Sequence, residues 1–140
     1  MPFYQVLNPL SMPPNSSNAQ LLVPGYPVKV WNAETPVPGP GGASASQQVN
    51  LGGRDAYPGG FGVTGFFSGA PGAFEVDVQV SDFDVDVQYQ TVANGNITTV
   101  DAVNNTFHFD GATVRAQFAR LLLRSRANNV TITADFYQSS

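Results

Sequence analysis

The sequence predicts a single all-β domain. Apolar and polar residues alternate with a period of two in several segments, and pairs of turn-forming Asn and Gly residues separate these segments. The chain has 140 residues and no cysteine, a length that suits one domain whose core is large enough to fold without disulfide bonds. Its ten Phe residues supply material for such a core.

The first part of the chain differs in composition from the rest. Residues 1–60 contain ten of the eleven prolines and eight of the fourteen glycines. Proline fixes φ and cannot donate a ladder hydrogen bond, so this region is not expected to form a central sheet throughout. We predict an extended arm over residues 1–24 and a β domain over residues 25–140. The arm either lies across another subunit, with Phe3 and Tyr4 as contacts, or wraps its own domain. Short strand-like pieces in this part are Phe3–Leu7, Gln20–Val23, Val28–Trp31 and Gln47–Leu51.

The clearest strand pattern runs from Phe74 to Val80, where every second residue is apolar. The alternation continues to Tyr89, but its phase changes after Ser81. A tight hairpin with a two-residue Ser81-Asp82 loop would place all these apolar side chains on one face. A β-bulge in a longer strand would also restore the phase.

This stretch is also strongly acidic, because residues 74–110 carry seven acids and no Lys or Arg. In the hairpin, Asp77 would lie opposite Asp86, and like charges in that position destabilise a sheet. The acidic face could be fully solvated, it could meet a basic partner through Asp77, Asp84 and Asp86, or Asp82, Asp84 and Asp86 could bind Ca²⁺. The calcium pattern lacks the Gly and the closing Glu of an EF-hand loop, and we predict no cofactor.

A basic segment follows, since Val114–Arg126 holds four of the five arginines. Val114, Phe118 and Leu121 have helical spacing. The next run is strongly β, however, and Ala127-Asn128-Asn129 would make a compact hairpin loop, so the context favours a strand. Either the arginines pair with acids of the same chain, or they form a head-to-tail contact with another subunit. The candidate contacts are Arg115, Arg120 and Arg124.

Three further strands are predicted. Ile97–Val103 follows an Asn94-Gly95 turn, Thr106–Phe109 follows an Asn104-Asn105 turn, and alternation from Val130 to Phe136 marks a C-terminal strand.

Several functional classes find little support in the composition. The net charge of −4 disfavours nucleic-acid binding, and no run of apolar residues is long enough to span a membrane. The first residues do not resemble a secretory signal. The one histidine, His108, lies in an alternating run, and no nucleophile or phosphate-binding motif is present, so we expect no enzymatic activity. Charged residues make up only 11%, which suits either surfaces that pack against neighbours or a plain soluble domain.

Residues 72–137 resemble known proteins in the order of their segments: GAFEVDVQVSD, then VQYQTV, a turn, FARLLLRS and NNVTITADFY. This order is similar to the small jelly-roll decoration or cement proteins of tailed-bacteriophage capsids. The resemblance implies an antiparallel jelly-roll-like β-sandwich. It further implies a virion structural protein, assembled in the host cytoplasm, that binds the major capsid protein and copies of itself as a homo-oligomer such as a trimer.

A second resemblance is to the galactose-binding-like β-sandwich, in which a VQVS-D strand precedes an aromatic–Ala–Arg strand, here Phe118-Ala119-Arg120. It implies the alternative function, a carbohydrate-binding or receptor-binding module of a phage tail or fibre. Trp31 is a further candidate partner contact. It could form a sugar-stacking platform with Tyr26, Tyr57 and Tyr137, or these aromatic residues could equally well belong to the core and its rim.

Overall fold

The computed structural model describes residues 19–36, 44–52, 60–111 and 116–138, and it confirms the all-β prediction. These residues form ten strands and one short 3₁₀ helix, Asp86–Gln88. The strands are β1 Gln20–Leu21, β2 Val28–Glu34, β3 Ser44–Ala45, β4 Val49–Asn50, β5 Phe61–Phe67, β6 Phe74–Ser81, β7 Gln90–Ile97, β8 Thr106–Gly111, β9 Phe118–Arg126 and β10 Ile132–Gln138.

The strands form two sheets in a sandwich-like arrangement. The first sheet has the order β1-β4-β9-β6-β7, with β3 also paired to β9, and the second has the order β2-β10-β5-β8. Pairing is antiparallel except between β1 and β4. Most neighbours in each sheet come from distant parts of the chain, and the two sheets form the antiparallel sandwich-like body that was predicted.

The core lies between the two sheets and is built by the period-two alternation. On β6, Val76 and Val78 are fully buried toward the second sheet. Phe67 of β5 packs edge-on against Phe74 of β6 with ring centroids 5.0 Å apart, so an aromatic pair joins the two sheets.

Most of the predicted arm, residues 1–18 with the Phe3–Leu7 strand, lies outside the described residues. The remainder of the predicted arm contacts the sandwich. Gln20 and Leu21 pair with β4, and the next side chain, Leu22, is completely buried in the core.

The basic segment forms strand β9 from Phe118 onward, which confirms the interpretation from context and excludes a helix there. The predicted hairpin across Ala127-Asn128-Asn129 is wrong. β9 belongs to the first sheet and β10 to the second, so these residues cross from one sheet to the other. Asn128 anchors the crossing because its side chain donates to the backbone oxygen of Ala70 at 2.9 Å.

The turn predicted at Asn94-Gly95, before a strand Ile97–Val103, is also wrong. Both residues lie inside β7, where Asn94 adopts a positive φ of 61° and the register against β6 shifts. Strand β7 ends at Ile97, so the predicted strand Ile97–Val103 does not form, and Val103 is 82% exposed in the following turn. The Asn104-Asn105 turn before β8 is confirmed, with Asn105 at a φ of 56°. Within the described residues, no helix has the length and apolar character needed to cross a bilayer.

Candidate functional site

The acidic stretch does not form the predicted tight hairpin. After Ser81 the chain leaves the first sheet, and it returns only at Gln90, which pairs with Val80. Residues 82–89, here called the acidic loop, occupy the space between these strands. Asp77 consequently lies opposite Asn96 of β7 and not opposite Asp86, so the like-charge pair that the hairpin required does not occur. A bulge at Ser81-Asp82 within a continuous strand does not occur either.

The start of the acidic loop is closed by a local turn. The hydroxyl of Ser81 donates to the backbone oxygen of Phe83 at 2.5 Å and accepts from the backbone N–H of Phe83 at 3.1 Å. Side-chain hydroxyls that bond nearby backbone groups in this way offer the chain an alternative to the sheet ladder. Ser81 therefore marks the point where the strand ends, although the alternation of polar and apolar residues continues beyond it.

The acidic loop exposes its apolar side chains. Phe83 is 48% exposed, Val85 is 44% exposed and Val87 is 87% exposed. The sequence pattern had placed these three residues on the buried face of a strand. They now stand among the carboxylates of the same loop, which gives the loop a mixed apolar and acidic surface. A cavity of about 270 Å³ lies beside it, lined by Val80, Ser81, Asp82, Phe83, Gln88, Gln90 and Ala116.

A buried arginine holds the loop in place. The side chain of Arg120 on β9 is only 8% exposed, and its Nη1 donates to Asp86, whose side chain is 86% exposed. The guanidinium carbon lies 4.1 Å from the ring centroid of Tyr89, a cation–π distance. The Tyr89 hydroxyl in turn donates to Asp84 at 2.8 Å. Burial and this bond to a carboxylate raise the pKa of Tyr89, so it remains a neutral donor.

Asp77 is the second buried charge on this face of the sheet. It accepts from Asn96 at 2.6 Å and from Thr91 at 3.0 Å, and Nε of Arg124 also donates to it. Burial by itself would raise the pKa of Asp77, but these three hydrogen bonds and the positive charge of Arg124 outweigh it. The pKa is therefore lowered, and Asp77 stays ionised.

Gln79 connects the two buried charges. Its carbonyl oxygen accepts from Nε of Arg120 at 3.0 Å, and its amide lies 3.5 Å from the Thr91 hydroxyl that bonds Asp77. A hydrogen-bonded network thus crosses strands β9, β6 and β7 from the acidic loop to Asp77. The prediction that acidic and basic segments pair within one chain is confirmed for Arg120 with Asp86 and for Arg124 with Asp77.

The predicted contact residues take different positions. Asp84 and Asp86 belong to the acidic loop, whereas Asp77 and Arg120 are buried beneath the surface, and Arg124 is half exposed against Asp77. Asp82, Asp84 and Asp86 do not gather into a metal site, because no group of three such side chains in the described residues could hold an ion. Asp84 and Asp86 instead bond Tyr89 and Arg120. Phe3, Tyr4 and Arg115 lie outside the described residues.

The proposed sugar platform does not form around the tryptophan. Trp31 is 2% exposed and belongs to the core, so it offers no surface to a ligand or partner. Tyr26 is 71% exposed and Tyr137 is partly exposed on β10, whereas Tyr57 lies outside the described residues. β2 carries the buried neighbours Val30 and Trp31 because its register against β10 shifts there, which the sequence pattern did not reveal.

No protein-family model and no curated protein matches this chain. Among solved structures, the chain is similar to one described as the crystal structure of SPBc2 prophage-derived protein YomS. That similarity has 14% sequence identity and a TM-score of 0.43, and it covers 82% of this chain and 97% of the other. A likeness of this degree carries no functional argument, so function must be inferred from the residues themselves.

Sequence patterns missed the side chains that organise this site. Tyr89, Gln79 and Thr91 are ordinary strand residues by composition, and their roles depend on which strands become neighbours. One indication was present, because the phase change after Ser81 required the chain to leave a regular strand. The loop that follows is bonded to Arg120, which lies 39 residues from Ser81 along the chain.

Proposed function

We propose that this chain is a non-catalytic structural protein of a bacteriophage particle, a capsid decoration or cement protein or a minor capsid component located in the virion. It binds the major capsid protein and copies of itself through protein–protein contacts and stabilises the shell. The acidic loop carries this proposal, because its three apolar side chains are between 44% and 87% exposed while a buried arginine fixes their loop.

Exposed apolar residues so close together are typical of a contact surface. Single exposed apolar residues need no explanation, but Phe83, Val85 and Val87 occur within five consecutive positions of one loop. Burying them against a partner would remove apolar area from water, at about 25 cal/mol for each Å² buried. Because Arg120 and Tyr89 already hold the loop, little conformational entropy is lost when a partner binds.

The charge on the loop indicates the chemistry of the partner surface. Three carboxylates alternate with the apolar side chains, and one of them, Asp86, accepts from Arg120. A complementary surface would have an apolar recess bordered by Lys or Arg side chains. The net charge of −4 agrees with a basic protein partner and disfavours nucleic acid or an anionic membrane surface. The resemblance of residues 72–137 to decoration proteins supports the capsid shell as that partner.

The experiment mixes the purified full-length chain with purified DNA-free capsid shells of a tailed bacteriophage. Co-sedimentation measures binding to the shells, and light scattering of the chain alone measures its oligomeric state. Val87→Asp introduces a charge at the exposed tip of the acidic loop. Val103→Asp is the matched control, because Val103 is similarly exposed, at 82% against 87%, but lies in the turn after β7.

We expect wild-type protein and Val103→Asp to co-sediment with shells at a saturating stoichiometry. Val87→Asp should bind the shells at least about tenfold more weakly. The introduced carboxylate would be buried in the apolar recess of the partner without a counter-charge, and that desolvation costs more than the ~1.4 kcal/mol that a tenfold change in affinity represents. Light scattering should also show an oligomer. A chain that stays monomeric and never sediments with shells would overturn the proposal, and equal binding by both variants would remove the acidic loop from it.

A further inference from the structure

The outward face of the second sheet carries an arrangement that the shell-binding proposal does not use. Strand register places side chains in rows across this face. One row joins Asp110, Gly62 and Tyr137 on β8, β5 and β10. The next row joins His108, Thr64, Asp135 and Lys29 and crosses all four strands. His108, Asp110 and Thr64 are exposed, and Tyr137 is partly exposed.

Gly62 allows the Tyr137 ring to lie flat on the sheet. A Cβ atom at position 62 would be 2.2 Å from Cζ of Tyr137 and 2.4 Å from its hydroxyl oxygen, so any side chain there would collide with the ring. The ring therefore reaches sideways across β5 toward β8, with one face against the backbone. This position is not a core position, because Tyr137 alternates with the buried Phe136.

His108 extends this flat surface. Its ring is inclined by only 25° to that of Tyr137, with centroids 6.2 Å apart, and its Nε2 lies 3.4 Å from the tyrosine hydroxyl. The two rings are therefore close to parallel and in contact, and they connect β10 with β8 across β5. Burial and the nearby charge of Asp110 raise the pKa of Tyr137, so its hydroxyl remains protonated and available as a hydrogen-bond donor.

We propose that this Tyr137–His108 platform is a binding site for a neutral oligosaccharide. The C–H face of a pyranose ring packs on a flat aromatic surface, while its hydroxyl groups need acceptors and donors around the edge. Asp110 supplies an acceptor and Thr64 supplies a hydroxyl, both exposed beside the rings. Asp110 and Asp135 disfavour anionic ligands such as phosphate esters or nucleic acid.

A second aromatic residue favours an oligosaccharide over a single sugar. Phe66 is 48% exposed on the same face of β5. It is four residues from Gly62, which places it about 13 Å along the strand from the centre of the platform. A saccharide of several units could contact both aromatic positions. The Lys29–Asp135 ion pair, at 3.0 Å, lies along the row between them and provides further polar contacts.

The test titrates ¹⁵N-labelled full-length protein with cellohexaose, maltohexaose, chitohexaose and a β-1,4-galactan oligosaccharide, each at millimolar concentration. At least one of the four should shift amide signals of β5, β8 and β10 near Gly62, His108 and Tyr137. Tyr137→Ala should weaken that binding by at least about tenfold, which corresponds to losing about 1.4 kcal/mol. Asp110→Asn, a small change at an exposed position, should weaken it without altering the fold.

Thr99→Ala, at an exposed position between β7 and β8, is the matched control and should bind as the wild type does. Absence of shifts with all four probes would overturn the proposal, as would shifts confined to the acidic loop or unchanged affinity in both Tyr137→Ala and Asp110→Asn. The result is separate from shell binding, because the acidic loop connects β6 and β7 of the other sheet. A failure here leaves the co-sedimentation experiment unaffected, and failure there leaves this platform intact.

Discussion

The guanidinium of Arg120 lies 4.1 Å from the centre of the Tyr89 ring. Arg120 is the third residue of strand β9, and Tyr89 closes the acidic loop just before β7 begins. The contact therefore joins a fixed position in the sheet to a segment that has left it. The buried cation also needs an anion, which Asp86 of the same loop supplies. The conformation of the acidic loop and the burial of Arg120 consequently depend on each other.

The first prediction concerns the Arg120–Asp86 pair. Asp86→Ala removes the exposed partner and leaves the buried guanidinium without its anion. We expect a loss of about 1–2 kcal/mol in the free energy of unfolding, less than the ~3–5 kcal/mol seen for fully buried pairs, because water reaches the Asp86 side. Urea unfolding measures this difference.

The control is a double-mutant cycle with Arg120→Met. Methionine keeps much of the apolar volume of the arginine but carries no charge, so Asp86→Ala in this background should cost close to nothing. If Asp86→Ala destabilises both backgrounds equally, the ion pair does not hold the acidic loop.

The second prediction concerns the pH dependence of stability through Asp77. Its folded-state pKa lies below the ordinary value of about 3.9. As the pH falls, the Asp77 carboxylate therefore binds a proton at a higher pH in the unfolded chain than in the folded protein. The stabilisation is thus fully present above about pH 4 and is lost as the pH falls through the lowered folded-state value. Asp77→Asn should remove this contribution.

The measurement compares unfolding of wild-type protein and Asp77→Asn between pH 7 and pH 2. At pH 7 the variant should be less stable by about 1–3 kcal/mol, the usual range for hydrogen bonds to a charged group. The difference should shrink below about pH 4. A difference that is constant or increases toward acid pH would show that Asp77 is not held as a stabilised carboxylate.

The fold class could be predicted from the sequence, whereas the position of the acidic loop could not. Alternation in β6 and in β10 has a local cause, the pleat of a strand against a core. The apolar positions Val76, Val78 and Phe136 are buried as it predicts, although Asp77 and Gln79 of β6 are buried too. The same alternation at Phe83, Val85 and Val87 has no such cause. Their loop is positioned by contacts with β9, and a one-dimensional pattern does not contain this information.

In the basic segment, Val114–Arg126, the contacts with neighbouring strands decide the secondary structure. The spacing of Val114, Phe118 and Leu121 suited a helix, but Phe118–Arg126 forms a central strand between β4 and β6. Here tertiary pairing on both sides overrides local propensity. Arg120 and Arg124 face the acidic residues of β6 and its loop, so their charges favour the strand only after the neighbour is known.

The third prediction uses Trp31 as a probe. It is the one tryptophan of the chain and is 2% exposed in the core, although it had been considered as a surface residue. Its fluorescence should be blue-shifted in the native protein relative to the unfolded protein and poorly quenched by acrylamide. Trp31→Ala should cost about 3–5 kcal/mol. Efficient acrylamide quenching of the native protein would place the side chain at the surface and contradict the structure.

The last prediction compares two glycines on strand β5. At Gly65, a Cβ atom would lie 2.4 Å from the Phe107 ring and 2.9 Å from the backbone oxygen of Thr133. The ring is part of the packed core and the oxygen belongs to the neighbouring strand, so neither can move freely. Gly65→Ala should therefore cost about 1–3 kcal/mol of stability, as overpacking does.

At Gly62, the collision is with the far end of the Tyr137 side chain on the outward face, which can rotate away into solvent. Gly62→Ala should cost less stability than Gly65→Ala but should separate the Tyr137 and His108 rings. Thermal unfolding compares the two variants, and ring-proton chemical shifts of His108 report the separation. Equal destabilisation would mean that Tyr137 is as firmly packed as the core, and an unchanged His108 environment in Gly62→Ala would mean that the ring does not rest on the glycine.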